Sequence, residues 1–293
     1  MKNYIIRAID KTKSVRIFIS TNTEMVQEIR NIHDSQATAS AAMGRLAIIA
    51  SIMAYSSLDD NQSLTIVFDG KGPAGKLRAV ADDNGDVKVT VTNPKVDVPS
   101  RYPGKLDVGA YVGKNGTLAV IKDLGLKEPY TGISNIITGE IAEDLANYYF
   151  YSEQTPSIIS LGVLVDTDLS IKSAGGIFVQ VLPGITEEEL DQLQNIANNL
   201  RPVSELINEG KSPEEILEEY FSELEPEILE KHEINYKCDC SRDRIRSGLI
   251  SIGKKDLLAI IEEDKKAEVI CDFCKTVYNF DEKKLREMLK ESK

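Results

Sequence analysis

The four cysteines of this chain stand as Cys238-Asp239-Cys240 and Cys271-Asp272-Phe273-Cys274, and the residues before position 238 contain none. Thiolates are soft ligands, and two short pairs separated by residues 241 to 270 match the four-sulfur tetrahedral shell of a zinc ion. The one-residue gap of the first pair is unusual. Structural zinc sites normally use gaps of two residues or more, and a single residue brings two sulfurs close enough to favour an adjacent-pair disulfide. Two readings of the site follow: a zinc knuckle that only holds the C-terminus together, and a zinc centre that doubles as a thiol switch. Spacing alone does not separate them. Four cysteines allow three disulfide pairings. Adjacent pairing closes the smallest loops, and small strained disulfides belong to the labile, regulatory class.

Little else in the chain offers chemistry. It has two histidines, His33 and His232, and no tryptophan. His232 lies close enough in sequence to Cys238 to be weighed as an alternative ligand, but four cysteines already complete a tetrahedral shell. No Gly-x-Ser-x-Gly, Walker loop or Gly-x-Gly-x-x-Gly follows a strand, so no nucleotide is expected and an enzyme is not the reading. Gly70-Lys71-Gly72 and Gly113-Lys114-Asn115-Gly116 lack the downstream Ser/Thr and helix of a phosphate cradle and read as hairpin turns. Glu140, Glu143 and Asp144 read as the charged first turn of a helix, where the helix dipole favours carboxylates. Cys271-x-x-Cys274 shares its spacing with thioredoxin-type pairs, but it follows a strand instead of opening a helix in a βαβ unit.

The elements that must position these groups divide the chain in three. Residues 1–185 read as an α+β core with a mainly antiparallel sheet. Strands are expected at 4–9 and 14–20 as a hairpin, at 64–68, 76–81 and 87–92, the last two joined by Asn84-Gly85, and at 117–123, 160–165 and 171–182. A helix capped by Thr23 carries a stripe of Met25, Val26, Ile29 and Ile32. The segment Thr38 to Tyr55 is apolar or small on every face except Arg45, which calls for a helix buried all round, as if sandwiched between sheets. Arg45 at its middle, with many Ala and Ser residues, argues against a membrane span. The N-terminus, Met1-Lys2-Asn3-Tyr4-Ile5-Ile6-Arg7, lacks a signal-peptide pattern, so the cytoplasm is the expected compartment, where thiols stay reduced.

The net charge is −12, and its distribution is uneven. Residues 186–232 hold 14 Asp and Glu against 3 Lys and Arg, a net −11, whereas 233–293 hold 13 against 14. An acidic balance with no basic stripe argues against a nucleic-acid backbone as partner. The acidic segment reads as a helical linker. Leu190, Leu193, Ile196, Ala197 and Leu200 form one stripe that ends before Pro202. Ser212-Pro213-Glu214-Glu215 is a capping box, and Ile216, Leu217, Tyr220, Phe221 and Leu224 give its helix an apolar face that stops at Pro226. Mutual repulsion among its carboxylates leaves such a segment marginally stable. Residues 233–293 read as a small zinc domain. A helix capped by Ser241 runs to about Ile252, a second follows Gly253 from Lys255 to Glu263, strands at 268–270 and 276–280 bracket the second pair, and a last helix is capped by Asp281. With so few large apolar groups it needs a staple, and zinc binding to such peptides supplies about 10–16 kcal/mol.

Beyond the cysteines, a series of blocks resembles the 33 kDa heat-shock chaperonin family of redox-regulated holdases. In order they are Ala37-Thr38-Ala39-Ser40-Ala41-Ala42-Met43-Gly44-Arg45, Gly104-Lys105-Leu106-Asp107-Val108, Lys122-Asp123-Leu124-Gly125-Leu126, Thr138-Gly139-Glu140-Ile141-Ala142-Glu143-Asp144, Ser152-Glu153-Gln154-Thr155-Pro156-Ser157 and Ala174-Gly175-Gly176. Val98-Pro99-Ser100-Arg101-Tyr102-Pro103 departs from the pattern. The resemblance implies that Cys238, Cys240, Cys271 and Cys274 hold one zinc ion in a reduced, poorly active form. It implies that oxidation releases the zinc, pairs Cys238 with Cys240 and Cys271 with Cys274, and unfolds the zinc domain and linker. The resulting form dimerises and binds unfolding client proteins without ATP under oxidative stress.

Overall fold

The computed structural model describes residues 2–100, 102 and 104–292. Met1 of the N-terminal reading, Arg101 and Pro103 of the departing block, and Lys293 lie outside the described residues. The chain forms two compact units, Met1–Tyr236 and Lys237–Lys293.

In the first unit the expected hairpin forms from β1 (Tyr4–Ile9) and β2 (Val15–Thr21), followed by α1 (Thr23–His33). Asn22, not Thr23, occupies the N-cap position; the Thr23 hydroxyl instead accepts from the Ala174 amide at 3.1 Å. Next comes α2 (Ala37–Ser57), in which 16 residues are buried, the result of a sequence with no polar face to offer water. It is the one helix among the described residues long and apolar enough to cross a membrane, and it lies inside the fold. Its Arg45 is paired with Glu140, Nη1 to Oε2 at 2.7 Å.

Antiparallel pairing of β3 (Ser63–Asp69), β4 (Leu77–Asp82) and β5 (Val87–Val91) continues the chain, with Asn84-Gly85 in the turn and Gly85 at φ 76°. After α3 (Val108–Val112) come β6 (Thr117–Asp123) and β7 (Tyr130–Asn135), completing a sheet of order β5-β4-β3-β6-β7. Neither α3 nor β7 stands out in the sequence, because one is a single turn and a half and the other, Tyr-Thr-Gly-Ile-Ser-Asn, lacks clean alternation. The two glycine segments approach each other: the Gly72 amide donates to Val112 O at 3.1 Å and the Asn115 amide to Gly70 O at 3.1 Å. A Cβ on Gly70 would sit 2.3 Å from Gly113 O, so these glycines serve close backbone approach. Gly70–Gly72 does join paired strands, whereas Gly113–Gly116 connects a helix to a strand and is no hairpin turn.

Helix α4 (Ala142–Tyr151) leads into β8 (Ser157–Val165) and β9 (Ile171–Val181). The acidic cluster is dispersed. Asp144 points inward and accepts from the amides of Ile137, Thr138 and Gly139 at 2.7, 3.0 and 2.8 Å, while Glu140 serves Arg45 and the Gly109 amide. Only Glu143 is a solvent-facing first-turn carboxylate.

The acidic segment folds as α5 (Glu187–Asn199), α6 (Val203–Asn208), α7 (Pro213–Phe221) and then a strand, β10 (Glu227–Glu233). The Ser212–Glu215 capping box is present, and Thr186 with Glu189 forms another. β10 has four charges in seven residues and falls where the sequence names no strand, yet it pairs with β1 and gives a second sheet of order β10-β1-β2-β9-β8. Charge suits it to an edge, where Lys and Glu block further pairing. This sheet uses both faces. Ile5, Phe18 and Phe178 pack with α2 and the first sheet, so α2 is enclosed by two sheets as its sequence demands. The alternate residues Tyr4, Ile6, Ala8, Ile17, Ile19, Ile177 and Val179 face outward and are covered by Leu193, Ile196, Val203, Leu206, Ile207, Ile216, Leu217 and Phe221. Leu190 of the expected stripe remains exposed.

In the second unit α8 (Arg242–Ser251), α9 (Lys254–Glu263), β11 (Lys266–Ile270), β12 (Val277–Asp281) and α10 (Glu282–Glu291) follow the sequence reading closely. Ser241 and Asp281 are the N-caps, accepting from the Arg244 and Lys284 amides at 3.2 and 2.9 Å. The fully buried core is Leu257, Ile261, Phe280, Leu285 and Met288, a small number for an independent fold.

Candidate metal centre

The four sulfurs meet. Cys271 closes the β11 end of the hairpin, and Cys274 lies in the turn before β12; the Cys271 amide donates to Thr276 O and the Lys275 amide to Cys271 O, each at 2.9 Å. Lys275 turns the chain with φ 59°. Cys238 and Cys240 lie on the irregular segment that ends at the Ser241 cap of α8, and the one-residue gap leaves both sulfurs in the cluster. Arg244 clasps this segment, pairing with the Asp239 carboxylate and donating to Asp239 O at 3.2 Å.

All four Sγ atoms lie within 4.8 Å of one another. Cys238 is 3.7 Å from Cys271 and Cys240 is 3.3 Å from Cys274, sulfur to sulfur. A tetrahedron of thiolates with zinc–sulfur bonds of about 2.3 Å has edges of about 3.8 Å, so the cluster has the size to hold a metal ion. The donor set, four sulfurs with no carboxylate, suits zinc. Proximity does not choose among the three disulfide pairings. Cys271 is buried and the other three are half-buried, which leaves an oxidant a path to the sulfurs.

Two hydroxyls complete the surroundings. Tyr278 Oη is 3.1 Å from Cys240 Sγ and Thr276 Oγ1 is 3.2 Å from Cys274 Sγ. Without metal the thiols diverge. Burial, with the neighbouring thiols, pushes Cys238 up to about 12. Burial also raises Cys240, against the pull of Tyr278. At Cys274 burial acts upward too, but the Thr276 hydroxyl and amide, with Cys240 and Cys238, draw the thiol down to about 6. The sequence names the cysteines but gives no sign of Tyr278 or Thr276, whose nearness depends on hairpin register.

The histidines are engaged elsewhere. His33 is buried with Nε2 3.0 Å from Val89 O. His232 donates from Nε2 to Asn84 O at 2.9 Å and stacks on Tyr55 with ring centroids 4.9 Å apart. Among the described residues the one group of His, Cys, Asp and Glu side chains close enough to hold a metal ion is the four cysteines.

Comparison with known proteins agrees with this architecture. The family model described as Hsp33 protein matches residues 3–281. The 33 kDa chaperonin of Alkaliphilus oremlandii is 46% identical, the match covering 99% of this chain and 97% of that protein. That of Clostridioides difficile is 44% identical over 99% of this chain and all of its own length. The crystal structure of the 33 kDa chaperonin (heat shock protein 33 homolog) from Thermotoga maritima superposes with a TM-score of 0.90 at 36% identity, over 99% of each chain. Matched end to end in sequence and in fold, the chain belongs to the Hsp33 family.

Proposed function

We propose that this chain is a redox-regulated, ATP-independent holdase chaperone of the cytoplasm, not an enzyme. The observation that carries the reading is the convergence of four thiol sulfurs within 4.8 Å in a unit whose core has five fully buried side chains. In the reduced state Cys238, Cys240, Cys271 and Cys274 bind one zinc ion. Zinc keeps the thiols deprotonated and protects them from random coupling, and it staples a unit too small to stand alone. Oxidation joins Cys238 to Cys240 and Cys271 to Cys274 and releases the metal.

Three functional parts follow: a core of residues 1–185, a linker of 186–232 and a zinc switch of 233–293. The linker is the cover on the outer sheet face, and its displacement would expose Tyr4, Ile6, Ile17, Ile19, Ile177 and Val179 together. A contiguous apolar surface of that kind binds the apolar segments of unfolding proteins, and also a second copy of the chain, which accounts for an active homodimer. No nucleotide or nucleic acid takes part. The names carried by the relatives, 33 kDa chaperonin, support this reading.

The test is zinc content and light scattering on one preparation. Peroxide with mild heat should release one zinc per chain and convert a chain that leaves a thermally unfolding client to aggregate into one that suppresses its scattering without ATP. Release of zinc with aggregation unchanged would refute the chaperone assignment.

A further inference from the structure

Tyr278 lies on β12 two residues before Phe280, and strand alternation sends both side chains to one face. Phe280 enters the small core, while the half-buried Tyr278 ring ends at the sulfurs, its hydroxyl 3.1 Å from Cys240 Sγ. Val269 of β11 stands opposite it in the ladder, so the hairpin that carries Cys271 and Cys274 also fixes the phenol against a cysteine of the other pair. Among side-chain hydroxyls a phenol is the strongest donor, being far more acidic than Ser or Thr. A thiolate that accepts its proton has lone-pair density drawn away and reacts more slowly with electrophiles. Sulfur bound to a metal keeps lone pairs and accepts such bonds as well, which is how groups outside the ligand set tune a metal site.

We infer that Tyr278 is a positioning residue of the thiol switch, donating its hydroxyl to Cys240 Sγ and holding back oxidation of the Cys238–Cys240 pair. The inference rests on the redox reading above. The step it slows is attack by the Cys240 sulfur lone pair on one oxygen of a peroxide. The O–O bond breaks, the departing hydroxide takes up a proton as water, and a sulfenic acid remains. The Cys238 thiolate then attacks that sulfur, the S–S bond forms, and a second hydroxide leaves and is protonated. The pair loses two electrons and one peroxide becomes two waters. Without the hydroxyl the first attack should be faster, while the ring, and with it the packing, is kept.

The experiment compares the full-length zinc-loaded chain with Tyr278→Phe. Zinc release is followed in peroxide, and separately under a strong chelator without oxidant; alkylation and mass spectrometry give the order in which the thiols react. Peroxide-driven release should rise by about tenfold, the rate equivalent of losing one hydrogen bond to a charged group. The chelator-driven rate should change much less, and Cys240 should move forward in the order of oxidation. A common rise in both rates would mean that the hydroxyl only holds the unit together, and that result, or no change in either, overturns the inference. If Tyr278→Phe fails to hold zinc, 3-fluorotyrosine at position 278, a stronger donor of nearly the same size, decides: slower peroxide-driven release supports the inference, and equal or faster release overturns it. A wild-type chain that keeps its zinc in peroxide even with mild heat sinks the redox reading itself, and this inference with it. A wild type that releases zinc beside a variant that does so at the same rate sinks the inference alone.

Discussion

Cys238, Cys240, Cys271 and Cys274 could be assigned from type and spacing because four thiols leave few other uses for themselves, and the structure brings their sulfurs together. Side chains whose roles depend on direction were not legible. Tyr278 and Thr276 look like ordinary strand residues until hairpin register aims one of them at Cys240 and the other at Cys274. Asp144 is the plainest case: a carboxylate two residues into a helix reads as dipole-favoured and solvent-facing, yet it is fully buried and takes three amide protons from 137–139. Asp144→Asn keeps the shape but aims donor hydrogens at donors. It should destabilise the first unit by about 2–4 kcal/mol, seen as a lower urea midpoint by circular dichroism, with zinc content unchanged. A midpoint equal to wild type would mean that the loop at 137–139 does not depend on that carboxylate.

At the scale of elements, strong periodicity and explicit caps survived folding, the Thr23 cap of α1 excepted. The buried helix α2, the Ser212 capping box and the caps Ser241 and Asp281 sit where the sequence puts them, because each is specified by neighbours in the chain. β10 was not legible, since its strand state comes from the free edge of β1, a partner more than two hundred residues away. Its attachment is partly polar: Glu214 at the start of α7 accepts from Tyr4 Oη and from Lys231 Nζ, both at 2.7 Å, and Lys231 also sits over the Tyr4 ring. Burial alone would raise the Glu214 carboxyl, but Lys231 and Tyr4 hold it below the usual range. A depressed carboxylate stabilises above its unfolded pKa, so this link is intact at neutral pH and is lost as pH falls through the lowered value. Glu214→Ala should loosen the cover by about 1 kcal/mol after solvent screening, roughly fivefold faster amide exchange across 203–233, with β3 to β6 unaffected. Unchanged exchange there would show that apolar packing alone holds the cover in place.

For the whole molecule, the acidic segment is the part whose meaning changed most. By charge it is a marginal linker; in the fold its apolar stripe is the second layer over a sheet already buried on its other face, which is why a segment of net −11 is ordered at all. Its last residues are tied to the core just before the metal unit begins: Val87 donates to Asn235 O and the Asn235 amide to Asp86, each at 3.0 Å. Under the proposed function, the zinc-bound thiols keep this cover closed. Hydrogen exchange by mass spectrometry, on the reduced zinc-loaded chain and on the same chain after peroxide and mild heat, tests it directly. Residues 237–292 and 186–233 should lose protection together with zinc release, while α2 and β3 to β9 keep theirs. Zinc release that leaves 186–233 as protected as before would contradict it.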